Sequence, residues 1–344
     1  MLDFLFAVSH PSHFHDMNLA ENPSHYSPLM RTLGSGAISY MQEKGLGAGV
    51  WYNVDCEVRG KRIKYGTISI DTLTRDMLDW TTLYIPGRTQ KPVRILRDDA
   101  RVRLANQVNL ASALRTALLL LPERFDERQL FETICGLSYR GDFRMHVGEN
   151  PRKVKNIVDA QLGGFRKLYG GLLKSFAKSV HVIGETPLAD DTIAARMAGV
   201  ERVRHFRQEM DTRERADKAA RLPVGLRTKI EAEYRRRWNL GRALSAGGAS
   251  DHSLGPEHDA AKEELWARIV EDESFIEVID RGISQIVARP TFNQALKGIL
   301  STGVVKSVRY VAPKLRKKWA KPTTPTEVSA RAPESQPNAK GEKA

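Results

Sequence analysis

The residue pattern of this chain changes character near residue 98. Ahead of that point, short β-like runs are separated by glycine and proline turns; beyond it, apolar residues recur at helical spacing. Strands gathered at one end and helices at the other predict an α+β architecture. Within the first part, residues 2–8 read as a strand buried on at least one face. Buried strands seldom begin without a segment to lie beside them, so the chain is expected to be a fragment lacking the start of its first domain. Residues 9–27 are rich in His, Pro and Asn and read as a polar loop, and residues 29–44 as a helix broken by Gly45, Gly47 and Gly49. Residues 50–54 and 62–70 then form two strands joined by the Arg59-Gly60-Lys61 turn. Asp71 can cap a helix running to Trp80, and residues 91–96 suit one more strand.

The second part predicts helices over 106–121, ended by Pro122, and from Asp126, whose spacing to Gln129 fits a capping box. Another covers 151–173 and is broken or ended near Gly163-Gly164 and Gly170-Gly171. A highly charged helical segment spans 200–238, a loop 246–250, and a further helix 261–287. The tail from Pro322 has the composition of a disordered segment.

Of the 344 residues, 54 are Lys or Arg and 41 Asp or Glu, a net charge of +13. That excess suits polyanionic partners: nucleotide phosphates, an anionic lipid surface or nucleic acid. It equally suits a basic, solvated surface with no such partner. No apolar run approaches the roughly 18–20 residues that span a bilayer. Cys56 and Cys135 form neither a CxxC pair nor a disulfide framework.

Several residues carry candidate chemistry. Asp3 is a lone carboxylate in an otherwise apolar strand, costly there unless it meets a metal or a cation. Lys64, between Ile63 and Tyr65, can neutralise phosphate or face solvent; Arg88 and Lys91 follow a glycine turn and can do the same. His25, Tyr26 and Ser27 can hydrogen-bond a nucleotide, or Ser27 can cap a helix. His10, His13, His15 and Asp16 match no strong zinc spacing and read as loop residues. Residues 289–321 hold nine Lys or Arg and no acid, interleaved with apolar residues. Such a segment reads as a surface binder of anionic membrane through Lys306, Arg309, Lys314, Arg316, Lys317, Lys318 and Trp319, or as a basic helix packed on its own domain. No basic-aromatic stacking motif favours nucleic acid.

The runs Leu2-Asp3-Phe4, His15-Asp16-Met17-Asn18-Leu19, His25-Tyr26-Ser27 and Gly47-Ala48-Gly49-Val50-Trp51-Tyr52-Asn53 occur in order. Ile63-Lys64-Tyr65-Gly66, Leu78-Asp79-Trp80, Gly87-Arg88 and Gln90-Lys91-Pro92-Val93 follow. With Gly136-Leu137-Ser138-Tyr139, Gly141-Asp142-Phe143-Arg144-Met145 and Lys297-Gly298-Ile299, the set resembles the mitochondrial phosphatidate cytidylyltransferases, also called translocator assembly and maintenance proteins. The likeness is dense over 1–175, thin to 275 and returns over 275–319.

The resemblance implies CTP and phosphatidate as substrates, Mg²⁺ as cofactor, and CDP-diacylglycerol with pyrophosphate as products, supplying cardiolipin synthesis. It implies peripheral attachment to the matrix side of the mitochondrial inner membrane. It also implies a nucleotidyltransferase-like mixed-sheet domain at 1–98, a helical winged-helix-like domain at 99–183, an uncertain charged region at 184–260, a basic membrane-associating segment at 261–321 and a tail at 322–344. Asp3 becomes a catalytic metal ligand, with Asp55 or Glu57 a second carboxylate, and Lys64 a catalytic cation. His25, Tyr26, Ser27, Asn53, Tyr65, Arg88 and Lys91 become substrate-binding residues. Family members carry a phosphate-binding Gly-Ser-Gly turn before the Leu-Asp-Phe strand, upstream of Met1 here. Gly34-Ser35-Gly36 is read as a coincidental copy. The alternative reading is a catalytically impaired membrane-associated protein that keeps the fold.

Overall fold

A computed structural model describes residues 2–45, 47–147, 150–187, 202–239 and 256–302. The first sheet is built from β1 (Leu2–Val8), β2 (Val50–Val58) and β3 (Lys61–Ser69), in the order β1-β3-β2. β1 runs parallel to β3, with Asp3 opposite Lys64, and β2 runs antiparallel to it. Arg59 and Gly60 both have positive φ, 51° and 71°, as a two-residue hairpin turn between right-twisted strands requires. Along β2, Val50, Tyr52 and Val54 face one core while Trp51 joins Tyr26, Met30 and Ile38 in another. The first half of this strand is therefore covered on both faces, which explains the unalternating Val50-Trp51-Tyr52 run. β1 is not buried as expected: none of its residues is fully covered, because it forms the sheet's edge.

Between β1 and β2 lie α1 (Pro11–Glu21), a short 3-10 turn (Pro23–His25) and α2 (Pro28–Glu43). The expected polar loop is thus largely helix; Pro11 sits in its first turn, where a missing N–H costs nothing. Ser27 caps α2, accepting from the Met30 N–H at 3.4 Å. Gly34 (φ 77°, ψ 176°) kinks α2, so Gly34-Ser35-Gly36 lies within a bent helix. α3 (Ile70–Asp79) is capped by the Ser69 hydroxyl rather than by Asp71. The strand expected at 91–96 is absent; after α4 (Pro86–Thr89) the chain runs irregularly to Asp99, which caps α5 (Ala100–Leu120).

β4 (Arg124–Asp126) leads through the expected capping box of Asp126 and Gln129 into α6 (Glu127–Leu137). Next come α7 (Phe143–Val147) and α8 (Lys153–Ser175). α8 is kinked at Gln161 (φ −133°, ψ 21°), two residues before Gly163, so the break expected near the first glycine pair is present, while the helix continues through Gly170-Gly171. β5 (Val180–Pro187) and β6 (Arg202–Gln208) complete a second sheet, β4-β6-β5, all antiparallel. The charged segment expected as helix over 200–238 therefore begins as a strand, then continues as α9 (Thr212–Ala220) and α10 (Val224–Trp238). The expected 261–287 helix is two helices, α11 (Pro256–Glu271) and α12 (Phe275–Thr302).

One apolar cluster runs from Trp80 through α5, α6 and α8 to Val287, crossing the boundary drawn at 183. α12 also reaches back to the first sheet. Its Gln294 accepts from the Ala48 N–H at 3.2 Å and donates to the Val50 carbonyl at 3.1 Å, close against Gly47 (φ 106°). Lys306, Arg309, Lys314, Arg316, Lys317, Lys318 and Trp319, with the 246–250 loop and the tail, lie outside the described residues. Among the described residues no helix is long and apolar enough to cross a membrane.

Candidate functional site

Side chains alternate across a strand, so neighbours in the first sheet serve different faces. On one face, Lys64 extends its Nζ to 3.7 Å from Asp3 Oδ2 and 4.5 Å from the centre of the Tyr52 ring. Gly66 makes room for that ring: a Cβ there would lie 2.7 Å from Tyr52 Cε1. Arg88, on α4, places Nη1 3.4 Å from the same Asp3 oxygen and its guanidinium 5.7 Å from both the Tyr52 and Tyr84 rings. Arg144, on α7, places its guanidinium 5.8 Å from the Tyr84 ring centre. Its fork grips Asp142, with Nη2 at 2.7 Å from Oδ2. Three cations thus surround two aromatic rings, and Asp3 stands between two of them.

A buried carboxylate sets the position of α4. Asp76 accepts from Thr81 Oγ1, the Thr82 N–H and hydroxyl and the Leu83 N–H, at 3.0, 2.7, 2.5 and 3.2 Å. These bonds hold a turn in which Trp80 and Leu83 both take positive φ, 53° and 54°. Lys91, one helical turn beyond Arg88, donates to the Gly87 carbonyl and to Ser138 Oγ, the latter at 3.0 Å. Its Nζ and that of Lys153 each lie 4.9 Å from the Tyr139 ring centre. Burial lowers the Lys91 ammonium to about 8, with Arg88 and Lys153 adding to the effect. An anion beside it would hold it protonated.

The other face holds a closed polar network. Tyr65 OH accepts from Asn18 Nδ2 at 2.7 Å and Asn53 Nδ2 at 2.8 Å and donates to His25 Nδ1 at 2.9 Å. Both lone pairs and the proton of the phenol are used. Tyr26 OH accepts from the second Asn18 hydrogen at 2.8 Å and donates to His15 Nδ1 at 2.9 Å, while His15 Nε2 donates to Gln42 Oε1 at 2.8 Å. Burial pushes both phenols up, so they stay protonated.

The same burial lowers His15 to about 4. Its unfolded value near 6.5 means that the unfolded chain takes up a proton first as pH falls. Stability is expected to decline between about pH 6.5 and 4, by roughly 3 kcal/mol in all, and His15→Gln should flatten that slope. Urea midpoints measured at pH 7 and pH 5 would check this; equal slopes for both proteins would contradict it.

Of the sequence-derived site residues, Asp3, Lys64, Arg88 and Lys91 come together on one side of the fold. His25, Tyr26, Asn53 and Tyr65 lie behind the sheet in the network, and Ser27 spends its hydroxyl on the α2 cap. Asp55 turns to Arg62, accepting from its Nε at 2.6 Å, and Glu57 is exposed opposite Arg62 on the hairpin. Among the described residues no three His, Cys, Asp or Glu converge as a metal cluster. Residue-by-residue reading missed Tyr52, Tyr84, Ser138, Tyr139, Arg144 and Lys153. For Tyr52, Ser138, Tyr139 and Arg144 the sequence signal was membership of the runs that carry the family resemblance, such as Gly141-Asp142-Phe143-Arg144-Met145.

Comparison with known proteins identifies the family. A family model described as "Phosphatidate cytidylyltransferase, mitochondrial" matches residues 1–317. The protein of that name from Xenopus laevis is 38% identical over 320 residues, covering 92% of this chain and 83% of the relative. The Schizosaccharomyces pombe protein is 36% identical over 331 residues, covering 93% and 76%. The Homo sapiens protein is 48% identical over 183 residues, 53% of this chain and 40% of the relative. A match that runs through both sheets and the helices between them shows that the chain belongs to the mitochondrial phosphatidate cytidylyltransferase family.

Proposed function

We propose that the cations between the first sheet and α7 are where this chain transfers a cytidylyl group from CTP to phosphatidate, yielding CDP-diacylglycerol. The single observation that carries the assignment is the meeting of Lys64, Arg88 and Arg144 around Tyr52 and Tyr84, with Asp3 between the first two. Both substrates are phosphate anions, and bringing them together needs this positive charge. A phosphate oxygen of phosphatidate forms the new bond to the α-phosphorus of CTP. The bond from that phosphorus to the bridging oxygen breaks, and its electron pair leaves with pyrophosphate. Lys64 and Arg88 hold and neutralise the triphosphate, and Arg144, oriented by Asp142, closes the other side. Positioning and fixed charge supply the catalysis, since the protein forms no covalent bond.

Asp3 suits a Mg²⁺ ion. Its side chain is 47% exposed and can turn from its cations, and such an ion commonly takes one or two carboxylates beside phosphate oxygens and water. When bound, Mg²⁺ would draw charge from the triphosphate and the departing pyrophosphate. His25, Tyr26, Asn53 and Tyr65 act one layer back, fixing β3 and hence Lys64.

The mixed sheet bearing Asp3 supports a nucleotidyltransferase-like first domain. The small antiparallel sheet beside α6 and α8 supports a winged-helix-like second one. By family the chain works in mitochondria. Attachment to the matrix face of the inner membrane through 289–321, feeding cardiolipin synthesis, completes the reading. The non-catalytic alternative is not favoured.

Asp3→Asn tests the assignment. Incorporation of labelled CTP into CDP-diacylglycerol is expected to fall at least about 100-fold with a shifted Mg²⁺ dependence and an unchanged melting temperature. Full turnover by this variant would remove Asp3 from the site.

A further inference from the structure

We infer that the irregular loop between α4 and α5, with the outward stripe of α5, is a docking surface for an anionic lipid bilayer beside the active site. The inference rests on the cytidylyltransferase reading only in taking the lipid substrate to arrive from a membrane. Val93, Ile95 and Leu96 of the loop are 51, 63 and 68% exposed, and Leu104 and Val108 of α5 are 65 and 46% exposed. Leu104 and Val108 are one helical turn apart and share a face. Five large apolar side chains displayed within one short stretch exceed the scatter of single exposed residues on ordinary surfaces.

Charge selects the occupant. The two acids of the stretch are each matched locally: Asp98 pairs with Arg103, and Asp99 with Arg101 at 3.2 Å. Arg94 and Arg97, interleaved with the apolar tip, make no ion pair among the described residues and are exposed. The surface is therefore apolar with an uncompensated positive fringe, complementary to acyl chains beneath anionic headgroups. An apolar protein patch would not call for those two arginines.

The root of the loop is rigid while its tip is displayed. Gln90 is fully buried, and its carbonyl accepts from Tyr169 OH at 2.9 Å. Pro92 packs against Gly164 of α8, where a Cβ would lie 2.9 Å from the proline ring. Lys91 of the phosphate site immediately precedes Pro92. A bilayer touching Ile95 and Leu96 therefore lies a few residues from the cations that receive a lipid phosphate. Such an arrangement lets the headgroup enter the site while both acyl chains stay in the membrane.

The test uses the full chain with Ile95→Ser/Leu96→Ser and, separately, Arg94→Glu/Arg97→Glu. Partitioning onto phosphatidylcholine vesicles containing phosphatidylglycerol is measured without substrate, and turnover is measured on a water-soluble short-chain phosphatidate and on long-chain phosphatidate in vesicles. The inference expects each pair to weaken vesicle partitioning about tenfold or more and to lower vesicle-substrate turnover, with soluble-substrate turnover unchanged. The loss from the arginine pair should shrink at high salt. Unchanged partitioning in both variants would overturn it. So would unchanged partitioning with loss of self-association in sedimentation, which would assign the patch to a second copy of the chain. Absence of turnover on either substrate by the unsubstituted chain would instead count against the cytidylyltransferase reading and leave the partitioning result to decide the docking surface.

Discussion

Lys64→Met should lower kcat/KM for CTP by about 100- to 1000-fold while leaving the folded chain intact. The side chain is 12% exposed, and its ammonium stands 3.7 Å from Asp3 and lies over the Tyr52 ring. Methionine fills a similar volume, so β3 should keep its packing against Tyr52. On the proposed reading, what disappears is a charge that offsets the negative charge developing on the departing pyrophosphate. Removing one preorganised donor of this kind costs about 3–4 kcal/mol of transition-state stabilisation. Lys64→Arg should recover little, because a planar fork cannot take the place of a compact ammonium between a carboxylate and a ring. Steady-state kinetics with CTP varied would separate a fall in kcat from a rise in KM. A melting curve would show whether the fold survived. Wild-type turnover by Lys64→Met would remove the lysine from the chemistry.

Gly87→Ala should both destabilise the chain and silence it. Gly87 sits on α4 against Ser138, and a methyl group there would overlap the serine Cβ and come 2.6 Å from its hydroxyl. Neither backbone is free to retreat. α4 is fixed by the turn that Asp76 organises, and Ser138 follows α6, whose Ile134, Cys135 and Leu137 are fully buried. Overpacking of this kind costs about 1–3 kcal/mol. The larger consequence is displacement of Arg88, the next residue, where an error of about 1 Å can cost about 100-fold in rate. Adding Ser138→Gly should restore most of the stability by removing the obstructing Cβ. Activity should return only in part, since Lys91 loses its hydroxyl partner. If the double variant were no better than Gly87→Ala, the close contact would not be the cause.

Local chemistry was legible where it was decided locally. The Asp126–Gln129 capping box, the Arg59-Gly60 hairpin and the α2 helix follow from residues a few positions apart. The errors fell where distant parts of the chain decide. Residues 91–96 have a strand's composition, yet no strand edge is there to receive them, and they remain an exposed loop. Pro11 to Glu21 looked like loop because its histidines and asparagine are polar, but His15 and Asn18 point inward to Tyr26 and Tyr65. The site divided in the same way. Asp3 and Lys64 were singled out each on its own strand, and Arg88 and Lys91 beside a glycine, but only the pairing of β1 with β3 sets the first two side by side. Alternation across β3 then set Tyr65 behind the sheet while Lys64 stayed in front, a distinction that strand pairing alone decides. Arg144 became part of the cluster only because Asp142 holds it over Tyr84.

The pairing of Asp3 on the opening strand with Lys64 of β3 and Arg88 of α4 has a kinetic consequence. Contacts between residues so far apart in sequence close late, after the helices and the hairpin have formed, because their loop-closure entropy must be met first. A chain arrested partway would hold much of its secondary structure and no competent pocket. Nucleotide, having affinity for the completed arrangement alone, would favour it by mass action and so guard the slowest-forming part of the molecule against reopening.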